Sequence, residues 1–155
     1  MYCKKANLKH KEIKNLYLKA FPENERIPFN QIENMPISIW AFEEKDFLGF
    51  AMTLSHETLT HILFFAIKEE KRNQGIGSQC LKEIKKLYPK QSILVDIEKP
   101  NTKLRIRRKK FYLRNQFKES SIHYSWKNED YDILVYGPSI TEKDFWEFWD
   151  FFIKD

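Results

Sequence analysis

Arg72-x-x-Gly75-x-Gly77 places two of only four glycines in a 155-residue chain within three positions of each other. A glycine has no Cβ to hold a ligand away from the backbone. Apolar residues at helical spacing follow Ser78, so residues 67–78 lie between a buried strand and the start of an amphipathic helix. A helix start carries amides without intrahelical partners and the positive end of the helix dipole, which makes a diphosphate its natural guest. Hydrogen bonds to charged groups contribute roughly 1.5–3 kcal/mol each, so three or four such amides would dominate the affinity for a phosphorylated ligand. The same letters also fit a tight strand-to-helix turn that binds nothing. They are neither a P-loop, since Gly-Lys-Ser/Thr is missing, nor a dinucleotide fingerprint, whose third glycine position holds Cys80.

The elements around that turn read as a mixed α/β chain. Residues 8–21 carry Ile13, Leu16, Tyr17 and Phe21 at helical spacing between Asn7, the predicted N-cap, and Pro22. Residues 22–36 read as a loop with one helical turn at 29–34. The runs 37–42, 47–54 and 59–67 predict a three-stranded antiparallel meander. Cys80, Leu81, Ile84, Leu87 and Tyr88 then share one helical face, and a strand at 92–97 follows Pro89. That strand-loop-helix-strand unit makes its two strands parallel through a right-handed crossover. A helix at 104–115, a hairpin of 120–126 and 131–136, and a last helix at 141–153 complete one domain, 1–155, built on a mixed, mostly antiparallel sheet flanked by helices.

Arg72-x-x-Gly75-x-Gly77 after Phe64-Phe65-Ala66-Ile67 resembles motif A of the GNAT superfamily of acetyl-CoA-dependent N-acetyltransferases. The segment from Arg108 through Phe111 and Tyr112 to Phe117 is similar to that family's motif B, and the two stand in the family's order. The resemblance implies a GNAT-like fold whose sheet is splayed between its fourth and fifth strands, here the strand ending at Ile67 and the strand 92–97. It implies that the pantetheine arm of acetyl-CoA pairs with the backbone of Phe65, Ala66 and Ile67, and that the amides of Gln74, Gly75, Ile76, Gly77 and Ser78 take the diphosphate, with Arg72 and Asn73 beside them. Phe111 and Asn101 are further cofactor contacts on the same basis, and the N–H of Ile67 would polarise the thioester carbonyl as an oxyanion donor.

Acetyl transfer to an amine needs a neutral nucleophile. An alkylamine of pKa about 10.4 is roughly one part in 2500 neutral at pH 7, a handicap of about 4.6 kcal/mol. The departing CoA thiolate, with a thiol pKa near 8.5, benefits from a proton that a tyrosine can supply. Tyr112 matches the family's general acid. The mid-strand Glu that some relatives use as base falls here on Ile62, which accepts no proton. Glu98, past the strand end, and His61, on the adjacent strand, are the candidate bases, beside loss of the proton through ordered water. Gln116 departs from the glycine common at the helix exit, and Asn115, which tolerates a left-handed conformation, is expected to make the reversal instead.

The remaining features bound the setting. The balance of 27 Lys and Arg against 22 Asp and Glu gives +5, which suits an anionic ligand. The basic run Lys103, Arg105, Arg107, Arg108, Lys109 and Lys110 reads as a solvated helix face, or as a site for the CoA 3′-phosphate. No recognisable nucleic-acid module surrounds it, so a nucleic-acid partner is not expected. Cys3 and Cys80 form neither a disulfide framework nor zinc spacing, so no metal is expected and the location implied is cytoplasmic. The longest apolar run is too short to span a membrane, and the start has no signal-like apolar region. The last segment sets Phe145, Trp146, Phe148, Trp149, Phe151 and Phe152 around Glu147 and Asp150. Such a helix must bury a wide face, on its own domain, in a homodimer or as a wall of the acceptor pocket. The function implied is transfer of acetyl to a small-molecule or peptide amine by direct attack in a ternary complex. The alternative is a noncatalytic acyl-CoA-binding or sensing module.

Overall fold

The computed structural model describes residues 1–153. The elements run β1 (Tyr2–Ala6), α1 (Lys11–Ala20), α2 (Phe29–Asn34), β2 (Ser38–Glu43), β3 (Phe47–His56), β4 (Leu59–Ile67), α3 (Ile76–Leu87), β5 (Ser92–Glu98), α4 (Lys103–Arg114), β6 (Lys118–Trp126), β7 (Glu129–Tyr136) and α5 (Glu142–Ile153). The strands form one mixed sheet of order β1-β2-β3-β4-β5-β7-β6 with a parallel pair at β4/β5. Every predicted element is present. The expectation missed β1, whose Cys3, Lys4 and Lys5 oppose Phe42, Ala41 and Trp40 of β2 in antiparallel register. Three of its five residues are exposed, so β1 carries no apolar alternation to announce it.

The chain forms two compact units, one of Met1–Leu54 with Ile62–Leu87, the other of Ser55–His61 with residues from 88 onward. The first is packed around Ile13, Leu16 and Tyr17 of α1, Phe50 and Met52 of β3, and Phe64 and Ala66 of β4. Tyr17 is its hub. The Tyr17 ring meets Phe64 edge-on at 4.9 Å and lies 5.7 to 6.2 Å from Phe21, Phe29 and Phe50. Its hydroxyl donates to Ile27 O at 2.9 Å and accepts from Ile27 N at 2.7 Å, so both polar groups of one loop residue are satisfied by a side chain.

Helix α1 starts at Lys11 rather than at residue 8. Asn7, predicted as its N-cap, instead accepts from Lys9 N at 2.8 Å in a turn, and His10 is the cap, its Nδ1 accepting from Ile13 N at 3.2 Å. A histidine ring nitrogen does here what Ser, Thr, Asp or Asn usually do, and so the start was placed too early.

The second unit packs Leu94 of β5, Ile122 of β6, and Ile133 and Val135 of β7 against Phe145 of α5. Strands β5 and β7 are antiparallel from Ile93 opposite Tyr136 to Glu98 opposite Tyr131. Helix α5 is opened by a reciprocal cap, in which Thr141 Oγ1 accepts from Asp144 N at 3.1 Å and Asp144 Oδ2 accepts from Thr141 N at 2.9 Å. Of its six aromatics, Phe145 and Phe148 are buried and Trp149 joins the same core, while Trp146 and Phe151 stay exposed. The wide apolar face therefore docks, in part, on the chain's own sheet.

Gly49 of β3 lies where β4 ends. A Cβ there would stand 2.4 Å from Ala66 O and 3.1 Å from Ile67 Cα, both backbone atoms. Gly49→Ala is expected to destabilise the chain by about 2–3 kcal/mol, the upper part of the overpacking range, lowering Tm by roughly 5–10 °C in a thermal melt.

Candidate active site

The turn between β4 and α3, predicted to hold phosphate, lies within the first unit. After Ile67 the chain makes a single 3-10 turn at Glu69–Lys71 and returns to extended backbone at Arg72. Two left-handed residues follow, Asn73 at φ 62° and Gly75 at φ 75°. Asn is among the few residues that enter this region without Gly's freedom. Arg72 Nε donates to Ile67 O at 3.2 Å and Gln74 Nε2 donates to Glu70 O at 3.2 Å, so two exposed side chains brace the turn. Gln79 N closes the first turn of α3 on Gly75 O at 3.2 Å. Gly77 lies inside α3 and Ser78 in its first turn.

A Cβ built on Gly75 meets nothing within 4 Å. Glycine is required there by its φ and not by packing, and the space beside it is open to a ligand. Phe65, Ala66 and Ile67 form the last residues of β4, and Lys68 N donates to Leu48 O at 2.8 Å just beyond them. A helix start, a left-handed glycine and a strand end lie on the same short stretch. Among the described residues no group of three or more His, Cys, Asp or Glu could hold a metal ion.

The second unit holds the remaining candidates. Tyr112 sits near the C-terminal end of α4, its ring edge-on to Phe111 at 5.2 Å and to Phe117 at 5.4 Å. Its hydroxyl makes no hydrogen bond among the described residues and is not sealed from solvent. Burial of the ring, and then the negative charge of Asp96, push the phenol well above its ordinary value, while Arg108 pulls weakly the other way. The proton on Tyr112 is therefore held at neutral pH.

Both candidate bases prove to be engaged. Glu98 is not a solvated strand end, because Arg105 binds its Oε2 and Arg108 Nη1 stands 3.3 Å from its Oε1. Arg105 also reaches Glu129 at 2.6 Å and donates to Asn101 Oδ1 at 3.0 Å, so Asn101 is tied to the α4 start. His61 is not a surface histidine. It is 1% exposed, and its Nε2 lies 3.2 Å from Asp96 Oδ1. Its ring stands 5.4 to 6.4 Å from Trp149, Phe145 and Phe148 of α5, and its Nδ1 is buried with no partner.

Asp96 and Tyr124, which the sequence reading passed over, complete that cluster: the Tyr124 hydroxyl donates to Asp96 Oδ2. Burial alone would raise the Asp96 carboxyl, but His61 and the Tyr124 hydroxyl outweigh it and hold the carboxyl below its ordinary value. Burial, and then the charge of Asp96, push the Tyr124 phenol far up. The signal was in the sequence, since Asp96 is the lone charge inside the otherwise apolar run from Ile93 to Ile97.

The exit of α4 departs from expectation as well. Gln116, not Asn115, takes the left-handed conformation, at φ 68°, while Asn115 has φ −98°. Asn115 is buried and its Nδ2 donates to Phe111 O at 2.8 Å, which holds it in the helical direction and moves the reversal one residue on.

The profile of the acetyltransferase (GNAT) domain matches residues 36–119, more than half of the chain. The chain belongs to the GNAT acetyltransferase family. Solved structures agree in fold. An acetyltransferase assigned to the GNAT family from Bacteroides thetaiotaomicron superposes with a TM-score of 0.82 at 19% identity, over 95% of this chain and 93% of that one. A Bacillus subtilis acetyltransferase in complex with CoA gives 0.64 at 14% identity, over 88% and 98%. The ribosomal-protein-S18-alanine N-acetyltransferase of Escherichia coli gives 0.64 at 12% identity, over 90% and 96%. No curated protein matches the chain in sequence.

A left-handed glutamine costs about 1–2 kcal/mol that glycine does not. Gln116→Gly is expected to stabilise the chain by about 1 kcal/mol and to raise Tm by roughly 2–4 °C in a thermal melt.

Proposed function

We propose that the whole chain acts as one N-acetyltransferase domain, moving acetyl from acetyl-CoA to a primary amine of a small-molecule or peptide acceptor by direct attack in a ternary complex. The observation that carries this reading is the Tyr112 hydroxyl, which keeps its proton at neutral pH, has no hydrogen-bond partner among the described residues and lies on the helix that resembles motif B. As the amine nitrogen bonds to the thioester carbon and the C–S bond breaks, Tyr112 donates to the departing sulfur. The N–H of Ile67 is the proposed donor to the carbonyl oxygen. Arg72 and Gln74 brace the turn whose amides, with Asn73 and Gly75 to Ser78 beside them, take the diphosphate, and Phe65 to Ile67 pair with the pantetheine. Asn101 and Phe111 complete the cofactor side.

The surplus proton of the amine leaves through water in this mechanism. Glu98 is occupied by two arginines, and the Nε2 of His61 faces Asp96. The engagement of both candidate bases, with Ile62 at the mid-strand position, favours the second reading, a noncatalytic acyl-CoA-binding module. Cytoplasmic location is part of the proposal through the two free thiols. The Cys3 thiol is pushed up to about 11 and the Cys80 thiol to about 12, both chiefly by burial, so neither is a reactive group at neutral pH.

Acetyl-CoA at about 100 times Kd is expected to contribute roughly 2.7 kcal/mol, a Tm shift of about 5–10 °C, with none from ATP. In Gly75→Trp the shift should vanish, because the indole would fill the open space beside the turn. An unshifted wild type would end both readings.

Tyr112→Phe should keep the acetyl-CoA shift while kcat falls about 10²- to 10⁴-fold in a thiol-release assay. Because the phenol is raised, ionisation of Tyr112 produces no loss of kcat below about pH 10. Acetyl-CoA binding without transfer to any amine would leave the noncatalytic module standing.

A further inference from the structure

Among the described α-helices, α4 alone has no buried residue. Seven of its twelve residues are Lys or Arg, and no Asp or Glu occurs anywhere from Lys99 to Lys118. Its cations divide by direction. Arg105, Arg108 and Lys109 pair with Glu98 of β5, Glu129 of β7 and Glu119 of β6. Lys103, Arg107, Lys110 and Arg114 are exposed, and their side chains have no ion pair among the described residues.

The four unpaired cations form a row. At 3.6 residues per turn, spacings of four, three and four residues keep them within a stripe about 60° wide, and a rise of about 1.5 Å per residue gives the row a length of about 17 Å. Like charges at these spacings repel, and Lys103 in the first turn opposes the helix dipole, so the row is unfavourable to the helix that carries it. An anionic partner would relieve both effects. The row also has an apolar border: Ile106 and Leu113, 41% and 40% exposed, follow one flank, and Leu104, 50% exposed, stands on the other.

Charge alone would admit any polyanion, and the border decides among them. A phosphate backbone would meet the cations but leave the three aliphatic side chains in water, and the exposed positions of α4 hold no aromatic ring on which a base could stack. A helix lying on a membrane needs its apolar residues in the middle and its cations at the edges, the reverse of the order here. A helix with carboxylates in a matching row and aliphatic residues beside them complements both features. We infer that the outer face of α4 is a docking surface for an acidic, aliphatic-bordered helical segment of a partner protein, its carboxylates on Lys103, Arg107, Lys110 and Arg114 and its aliphatic side chains on Ile106 and Leu113. This goes beyond acetyl transfer and stands whichever reading of Tyr112 holds.

The probe is a fluorescein-labelled peptide of two heptads Glu-Leu-Gln-Leu-Glu-Gln-Ala, which sets glutamate and leucine at the spacings of the row and its border. Its binding to the full chain is read by fluorescence anisotropy at low ionic strength, with and without saturating CoA. The peptide should bind saturably in both cases, and binding should weaken as salt is added. Replacing its glutamates by glutamine, or its leucines by alanine, should weaken it. In the chain, Arg107→Glu with Lys110→Glu should weaken it about tenfold or more. Lys9→Glu with Lys90→Glu makes the same change in net charge at exposed positions off the row and should weaken it much less. Ile106→Ala with Leu113→Ala, which leaves every charge in place, should weaken it severalfold. A cooperative thermal melt of each variant reports that it is folded.

No binding of the acidic peptide at low salt, or equal loss in the row and control variants, would overturn the inference. So would indifference to the leucines and to Ile106 and Leu113, which would reduce the row to nonspecific charge. A fluorescein-labelled oligouridylate is titrated in parallel, and tighter binding of it through the same cations would assign the row to nucleic acid instead. Displacement of the peptide by CoA would assign the row to the cofactor's phosphates, and that result too sinks the docking surface while leaving the acetyltransferase reading intact.

Discussion

A carboxylate taken out of water is unfavourable by several kcal/mol unless protein groups replace its hydration, and Asp96 is held under that constraint. His61 of β4 and Tyr124 of β6 meet it from either side of β5. Because hydrogen bonds to a charged group are strong and directional, the chain segments of the second unit around His61, Asp96 and Tyr124 are tied at one point. The rings of Phe145, Phe148 and Trp149 stand around this point, and the buried Nδ1 of His61 has no hydrogen-bond partner among the described residues, so the cover is apolar right up to the polar centre. The first unit is pinned by a neutral version of the same arrangement, with the Tyr17 hydroxyl joining loop to helix among phenylalanines.

Strain and openness are concentrated on the turn before α3. Asn73 and Gly75 both have positive φ, and the side chains of Arg72 and Gln74 bond to the backbone carbonyls of Ile67 and Glu70 across the reversal. Holding the backbone in that shape before any ligand arrives lowers the ordering cost of binding. The helix exit at Gln116 carries a comparable left-handed residue without glycine, and there the buried Asn115 side chain supplies the restraint by bonding to Phe111 O.

What the sequence made legible were features with a period or a forced backbone. The 29–34 turn, the apolar β2 to β5 runs, and the face of Cys80, Leu81 and Ile84 all follow from spacing, and the structure has them within one or two residues. The glycine pair located the turn before α3 because glycine enters the left-handed region of Gly75 without strain. Elements defined by pairing alone were hidden, as with β1, whose exposed lysines leave no alternation to read. The His61 environment was hidden for a different reason. His61 and Asp96 are 35 residues apart, and nothing local distinguishes a histidine that meets an aspartate from one that meets water. The ion pairs of Glu98 were hidden in the same way, since its arginines come from the following helix.

The two ends of the strand order, β1 and β6, each have one side without a strand neighbour. An open strand edge is a template on which another chain can polymerise. Strand β1 is only five residues long and carries Lys4 and Lys5, so a second copy stacking there would bring like charges together. Strand β6 uses shape instead: its register slips between Glu119 and His123, with Ser120 Oγ bonded to Ile133 O and Ile122 N at the irregularity. A slipped edge offers no straight row of amides and carbonyls to an incoming strand. At high concentration these two margins would resist edge-to-edge aggregation by different physics, one by repulsion that added salt weakens and the other by geometry that salt leaves alone.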